Sequence, residues 1–372
     1  MALDRIYDPL RLSLATGAQL RHIAPMKAGI VGFSGSGKTT IFTALTGIAG
    51  QPGQRKDAVL GMIKVPDERI DFLVRINNPK KTTYAEICFV DIAGAALEQT
   101  ESGLATHVVN EMRPVDAIVH VVRGFDNPAL TRAPDPLRDM QNFESEMILT
   151  DLIQVENRLQ RLIKEGNKGQ ERTLIESIKT HLEDNKPLRQ KELSEQELGL
   201  LTGFKFLSLK PCIVLVSQPD DAVNAETDAK LVAEAQKNDL HVLSMAGRVE
   251  AEIAELDAEE QKEFLADLGL ESSARNRFVK MAYRELGLIS FLTQGPDDCH
   301  AWTIKRGTNA RAAAGKIHSD IERGFIRAEV IGFEDFQKHG SEAACRDAGV
   351  FRVEGKDYEV KDGDVINFRF NV

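Results

Sequence analysis

The string Gly32-Phe-Ser-Gly-Ser-Gly37-Lys38-Thr39 matches G-x-x-x-x-G-K-[ST]. It stands between an apolar run, Ala28-Gly29-Ile30-Val31, and a helix-forming run from Thr39 to Leu45. Composition alone produces the bare string in roughly one chain in a hundred of this length, and a strand before it with a helix after it makes chance rarer still. The motif constrains the fold around it. A buried strand must turn into a helix through glycines, which let backbone amides converge on an anion at the positive end of the helix. Gly32, Ser34, Gly35, Ser36 and Gly37, with Lys38, Thr39 and Thr40 at the helix start, are therefore expected to hold the phosphates of a nucleotide. Lys38 is expected to reach the β- and γ-phosphates, and the Thr39 hydroxyl to ligate Mg²⁺.

Further apolar runs at 86–90 and 117–122 read as strands buried on both faces, and strand signals resume at 212–216 and 241–243. Separated by helical segments, they imply an α/β fold with a mostly parallel sheet. The run at 86–90 leads into Asp91-Ile-Ala-Gly94, a D-x-x-G in which Asp91 at the strand tip can hold Mg²⁺ and the Gly94 amide can sense a γ-phosphate. The next position, Ala95, stands where Ras-like GTPases carry the Gln that orients water, so any hydrolysis must be slow or use another group. No Ser or Thr lies between Thr46 and Thr82. A switch-loop hydroxyl for Mg²⁺ is thus missing, and weak coupling between γ-phosphate and the loop at 50–61 is expected. After the strand at 212–216 comes Ser217-Gln-Pro-Asp220, where such domains read the base. Asp220 can accept from guanine N1 and N2, while Ser217 replaces the usual Asn, leaving ATP and GTP both open. Ser244, Met245 and Ala246, after the following strand, can place backbone amides near the base.

The chain has 372 residues, which at about 150 per domain suggests two or three domains. Lys and Arg number 47 against 57 Asp and Glu, a net charge of −10. That excludes a general nucleic-acid coat, and no DNA partner is expected, although a local basic face can still meet RNA. No apolar run approaches the ~18 residues of a membrane span. Cys88, Cys212, Cys299 and Cys345 form no CxxC pair, which fits a reducing, cytoplasmic setting better than a disulfide scaffold or zinc knuckle. Residues 1–26 read as an extension without signal-peptide character.

Beyond Pro134 the pattern changes. Ile148, Leu152, Val155, Leu159 and Leu162 make a heptad seam, a polar turn follows, and Leu174, Ile178 and Leu182 continue it, so the two runs read as an antiparallel helical hairpin. Ser194 and Glu197 have capping-box spacing. Residues 250–271 carry nine acids against one Lys, with Ile253, Leu256, Phe264 and Leu268 as an apolar stripe, and read as the solvated face of an amphipathic helical segment. A compact tail follows, with strands expected at 301–304 and near Val330, Tyr358 and Ile366, a helix over 309–323, and a turn at Asp362-Gly363-Asp364. Lys305, Arg306, Arg311, Lys316, Arg323 and Arg327 face only Asp320 and Glu322 over 305–327, a local surplus that can contact RNA phosphates.

Several segments together resemble the YchF subfamily of Obg-like P-loop ATPases, of the TRAFAC class. They are the glycine loop, Asp91-Ile-Ala-Gly94, His120-Val-Val-Arg123, Ala301-Trp-Thr303, the stretch from Lys316 to Val330, and Val353-Glu-Gly-Lys-Asp-Tyr358 with the final strand. The resemblance spans nearly everything from Met26 to Val372. It implies a Ras-like P-loop NTPase domain (27–134 and 207–284), an inserted coiled-coil hairpin (135–206) and a C-terminal TGS domain of β-grasp form (285–372). It also implies binding of ATP or GTP with Mg²⁺, and association with ribosomes or rRNA.

Departures fall in the nucleotide domain. The family's loop reads G-L-P-N-V-G-K-S, and its switch-loop Thr aligns near Arg55. Its hydrophobic residue in place of Gln is matched by Ala95. A His following the His120-Val-Val-Arg123 strand aligns with Arg132, the base-reading N-x-x-E becomes Ser217-Gln-Pro-Asp220, and a redox-sensitive Cys has no counterpart. The expected function is a slow NTPase regulatory in translation or stress. The alternative is a nucleotide-gated binding module with little turnover, and a small-molecule kinase fits the D-x-x-G and the tail poorly.

Overall fold

The computed structural model describes residues 26–48, 58–96, 104–223 and 225–371, with side chains at 93–96 and 258 left aside. The expected extension at 1–26 (save Met26) and most of the loop at 50–61, Arg55 included, lie outside the described residues.

Strands are β1 (Lys27–Gly32), β2 (Val59–Lys64), β3 (Lys81–Thr83), β4 (Glu86–Ala96), β5 (Ala117–Arg123), β6 (Cys212–Ser217), β7 (His241–Met245), β8 (Leu288–Thr293), β9 (Asp298–Lys305), β10 (Phe325–Gly332), β11 (Arg352–Glu354) and β12 (Asp364–Phe370). The helices that frame the two sheets include α1 (Lys38–Thr46), α2 (Glu68–Asn77), α3 (Thr106–Met112), α4 (Pro136–Lys164), α5 (Gln170–Glu183), α6 (Gly247–Glu255), α7 (Ala258–Asp267), α8 (Ala310–Ile317) and α9 (Ser319–Arg323). The chain divides into two compact units, one of Met26–Ile63 and Cys88–Phe278, the other including Lys64–Ile87 and Val279–Val372.

The first unit is built on a sheet of order β2-β4-β1-β5-β6-β7, in which β4, β1, β5, β6 and β7 pair in parallel. Every residue of β5 and β6 is buried, the reason these strands read as unbroken apolar runs. Ile118 and Val122 of β5 and Cys212, Val214 and Val216 of β6 join Val31, Met112 and Phe143 in one core. The helical hairpin forms as its spacing demands. Ile148, Val155 and Leu162 of α4 are buried with Leu174, Ile178 and Leu182 of α5, and Leu152 and Leu159 pack at the margin. Asp135 caps α4 by accepting from the Arg138 amide at 3.0 Å, and Ser194 with Glu197 closes the expected capping box. At the base of the hairpin, fully buried Asp151 accepts from the Leu207 amide (2.9 Å), the Ser208 amide (2.7 Å) and the Ser208 hydroxyl (2.7 Å).

The second unit is a mixed sheet of order β11-β10-β12-β8-β9-β3, packed on α8 through Ala310, Ala313, Ala314 and Ile317. The 64–87 excursion completes it. β3 pairs in parallel with β9, Lys81 opposite Asp298 and Thr83 opposite His300. Arg69 of α2 bridges Asp67 at 2.8 Å and Asp362 at 3.0 Å, and Asp362 also accepts from the Ser290 amide at 2.9 Å.

Four expectations need correction. The helix over 309–323 breaks at His318, whose extended backbone (φ −160°) lets its ring accept from the Asp320 amide and start α9. The strand expected near Tyr358 is a single bridge, Asn309 to Glu359, and the neighbouring strand is β11. Tyr358 instead donates its hydroxyl to the Asp364 carboxylate at 2.7 Å. The acidic segment is two helices, α6 and α7, separated by Asp257, which caps the second. Its face is not uniformly solvated: Glu250 is buried and accepts from the Ala274 and Arg275 amides at 2.7 and 3.0 Å, whereas Phe264 is exposed. Finally, β4 runs on to Ala96, so Asp91 lies within the strand rather than at its tip. No helix among the described residues is long and apolar enough to cross a membrane.

Candidate nucleotide site

β1 ends at Gly32, and α1 begins at Lys38 behind Gly37, whose φ of 90° is open to glycine at little cost. A Cβ at Gly32 would lie 2.5 Å from the Val121 carbonyl oxygen and 2.6 Å from Ser36 Oγ, so the turn closes only with glycine there. The Ser36 hydroxyl is buried and has no hydrogen-bond partner among the described residues. The start of α1 carries no side-chain cap and no acidic residue in its first turn. An uncapped, acid-free helix start behind a glycine loop is what an anion needs.

Lys38 donates from Nζ to the Ile92 carbonyl at 3.3 Å. Burial lowers its pKa, opposed by the nearby Asp91 carboxylate. The parallel register sets Ile30 of β1 opposite Asp91 of β4 and Gly32 opposite Ala96, which brings the D-x-x-G segment alongside the loop. The residues present suit Mg²⁺. Thr39 and Asp91 offer one hydroxyl and one carboxylate, both hard oxygen donors, and no cluster of three or more His, Cys, Asp or Glu stands among the described residues as an all-protein cage.

Ser217, at the end of β6, is buried against the loop: a Cβ at Gly37 would meet its Oγ at 2.5 Å and Phe125 at 3.2 Å. The β6–β7 register pairs Ser217 with Met245, and the Gln218 amide donates to the Met245 carbonyl at 2.9 Å. Met245 and Ala246 are both buried, leaving their backbone as the part that can meet a base. Ser244 is held by its hydroxyl, 2.8 Å from Thr227 Oγ and 3.4 Å from Gln218 Nε2. Asp220 begins a 3-10 turn and pairs with Arg248 at 3.5 Å.

Sequence reasoning missed Thr227 and Arg248, which carry no motif spacing, the contact that Gln218 of the Ser217–Asp220 string makes with Ser244, and the segment after β5. Arg123 donates to the carbonyls of Phe125 (3.2 Å) and Arg132 (2.5 Å), folding that segment over the loop, so that a Cβ at Gly35 would meet Asn127 and Leu130 at 2.9 Å. His120 is not part of the site's surface. It is buried between Phe33 and Phe143, with ring centroids 6.0 and 4.2 Å away, and burial pushes its pKa down to about 3. The basic run in the tail is narrower than its sequence suggests. Arg323 pairs with Asp320, Arg327 lies 3.5 Å from Glu329, and Lys316 is half-buried. Lys305, Arg306 and Arg311 remain exposed, joined by Lys356, whose carbonyl accepts from the Arg311 amide.

A parallel sheet, a glycine loop feeding an uncapped helix, and a D-x-x-G strand beside it define a P-loop nucleotide-binding protein of the GTPase class. Residues 27–164 match the family described as 50S ribosome-binding GTPase, and residues 288–371 match the YchF-GTPase C-terminal family, described as a protein of unknown function. The protein named ribosome-binding ATPase YchF in Bacillus subtilis is 38% identical over 364 residues, covering 93% of this chain and all of that one. Its Escherichia coli O157:H7 namesake is 39% identical over 360 residues, covering 93% and 99%. The solved structure of the Schizosaccharomyces pombe YchF GTPase superposes with a TM-score of 0.81 at 30% identity, over 92% of this chain and 97% of that one. The chain belongs to the YchF family.

Proposed function

We propose that this protein binds a nucleoside triphosphate with Mg²⁺ at the glycine loop, hydrolyses it slowly, and works on ribosomes in the cytoplasm. The observation that carries this reading is the uncapped start of α1 behind Gly37, with Lys38 held beside the D-x-x-G strand. Backbone amides from Ser34 to Thr40 cradle the α- and β-phosphates, and Lys38 leaves the Ile92 carbonyl for the β- and γ-oxygens. Thr39 and Asp91 would hold Mg²⁺, which would neutralise charge on the phosphates. The Gly94 amide faces the γ-phosphate. Ser217, Asp220 and the backbone of Ser244, Met245 and Ala246 form the edge that meets the base.

The division into a nucleotide domain (27–134 and 207–284, of which 64–87 and 279–284 fall in the second compact unit), a coiled-coil insert (135–206) and a TGS domain (285–372) is part of the same proposal. The relatives named ribosome-binding ATPases support the ribosome as partner, and the exposed face of Lys305, Arg306, Arg311 and Lys356 is the part of the tail suited to rRNA phosphates. Single-turnover hydrolysis of ATP and of GTP, with and without ribosomes, tests the reading alongside ribosome cosedimentation. Turnover that vanishes in Lys38→Ala is expected. Turnover that survives in Lys38→Ala, or absence of nucleotide binding in the unaltered protein, refutes it. Tight binding with no turnover in any condition makes the protein a nucleotide-gated binding module instead.

A further inference from the structure

A cavity of about 560 Å³ lies within the first unit between α3, the C-terminal half of α4 and the segment at Phe204, away from the glycine loop's residues. One face of α4 supplies Thr150, Ile153, Gln154, Asn157, Arg158 and Arg161, spaced at i, i+3, i+4, i+7, i+8 and i+11, beside the buried heptad seam. The opposite wall includes Val109, Asn110 and Arg113. In a chain of net charge −10, the described residues that line this space include three arginines and no carboxylate.

The cations are positioned in advance. Arg158 is forked by Glu171 at 2.7 and 2.9 Å, and Arg113 donates to the Phe204 carbonyl at 3.0 Å. Arg161 is exposed and makes no ion pair among the described residues. Gln154 donates to the Phe204 carbonyl at 3.0 Å, which leaves its Oε1 buried and without a hydrogen-bond partner among the described residues. A buried acceptor left unmade costs free energy that an incoming N–H recovers. Leu104, Val109, Ile153 and Phe204 give the cavity an apolar wall.

We propose that this cavity is a second nucleotide site, for a nucleoside monophosphate distinct from the substrate at the glycine loop. Guanidinium groups match a phosphate in a way that hydrated ammonium does not. The apolar wall suits the flat face of a base, and Gln154 Oε1 with the Asn110 and Asn157 amides suits its edge. The volume lies in the range of small-molecule sites and is far too large for a lone phosphate ion. α3 follows the D-x-x-G strand in sequence and α4 opens the helical hairpin, so occupancy joins the two elements.

Equilibrium dialysis of the full chain with labelled AMP and with labelled GMP tests this. A monophosphate lacks the β-phosphate that Lys38 grips, so Lys38→Ala is expected to retain saturable binding of one of them at one molecule per chain. Arg161→Glu is expected to weaken that binding about 10-fold or more, the size of a lost charge-assisted hydrogen bond. Ile153→Trp, at a position already 42% exposed, fills the cavity without entering the core and is expected to abolish binding. Absence of saturable binding, its loss in Lys38→Ala, or affinity unchanged by both Arg161→Glu and Ile153→Trp overturns the proposal. If the glycine-loop reading fails instead, triphosphate binding is lost while the monophosphate site remains.

Discussion

Replacing Gly37 by alanine isolates the contact between the phosphate loop and the base edge. An added Cβ stands 2.5 Å from Ser217 Oγ and 3.2 Å from both Ser217 Cβ and Phe125, on a backbone whose φ is +90°. The positive φ costs an L-residue about 1–2 kcal/mol, and overpacking against the serine adds about 1–3 kcal/mol. Gly37→Ala should therefore destabilise the protein by about 2–5 kcal/mol. Ser217→Ala removes the oxygen at 2.5 Å but leaves a carbon at 3.2 Å, so on its own it should cost little. Combined with Gly37→Ala it should recover most of the overpacking and none of the backbone strain. Urea denaturation of all four proteins, compared at constant m, gives the coupling, expected to be favourable by about 1–2 kcal/mol. Strict additivity, or a Gly37→Ala cost under about 1 kcal/mol, refutes the close approach of Ser217 to the loop.

His120 makes stability pH-dependent. Its folded pKa, down at about 3, lies below the ordinary value of 6.5. Between those values the unfolded chain binds the proton that the folded chain refuses, so stability falls as pH drops from 6.5 toward 3, by several kcal/mol in all. In His120→Phe the unfolding midpoint should lose this slope; an unchanged slope assigns it elsewhere. At the base edge, Asp220→Ala should weaken GTP at least 10-fold while leaving ATP within about 2-fold, because adenine lacks the paired N–H donors a carboxylate accepts; calorimetric titration decides. On the tail, reversing Arg311 and Lys356 should cut ribosome cosedimentation and flatten its salt dependence, whereas Arg323→Glu, at a position already paired with Asp320, should do less.

The parts of this molecule with fixed spacing were legible in the sequence. The glycine loop is set by where backbone must approach phosphate, and the heptad seam by which side chains must meet across two helices. Both hold in three dimensions. The excursion through α2 and β3 carried no such signal. β3 is three residues long, polar and partly exposed, and its partner lies far along the chain, so no local period betrays it. Nothing in the apolar spacing around His318 marks the helix break; its own ring supplies the cap. The partners of Ser244 carry no local spacing either: Gln218 reaches it beside the β6–β7 register, and Thr227 reaches it from the irregular segment before the next helix.

The pairing of β3 with β9 also sets a clock for synthesis. Lys80 and its partner Asp297 are 217 residues apart, which at ~5–20 residues per second is roughly 10–40 s of translation. During that interval α2 and β3 have been made and their sheet has not. Ile70 and Leu73, fully buried in the finished unit, have no completed core to enter, and the backbone of β3 stands open to any other edge. The nascent chain thus passes through a stage in which its nucleotide loop and D-x-x-G strand exist while the stretch between them waits for the last quarter of the protein to arrive.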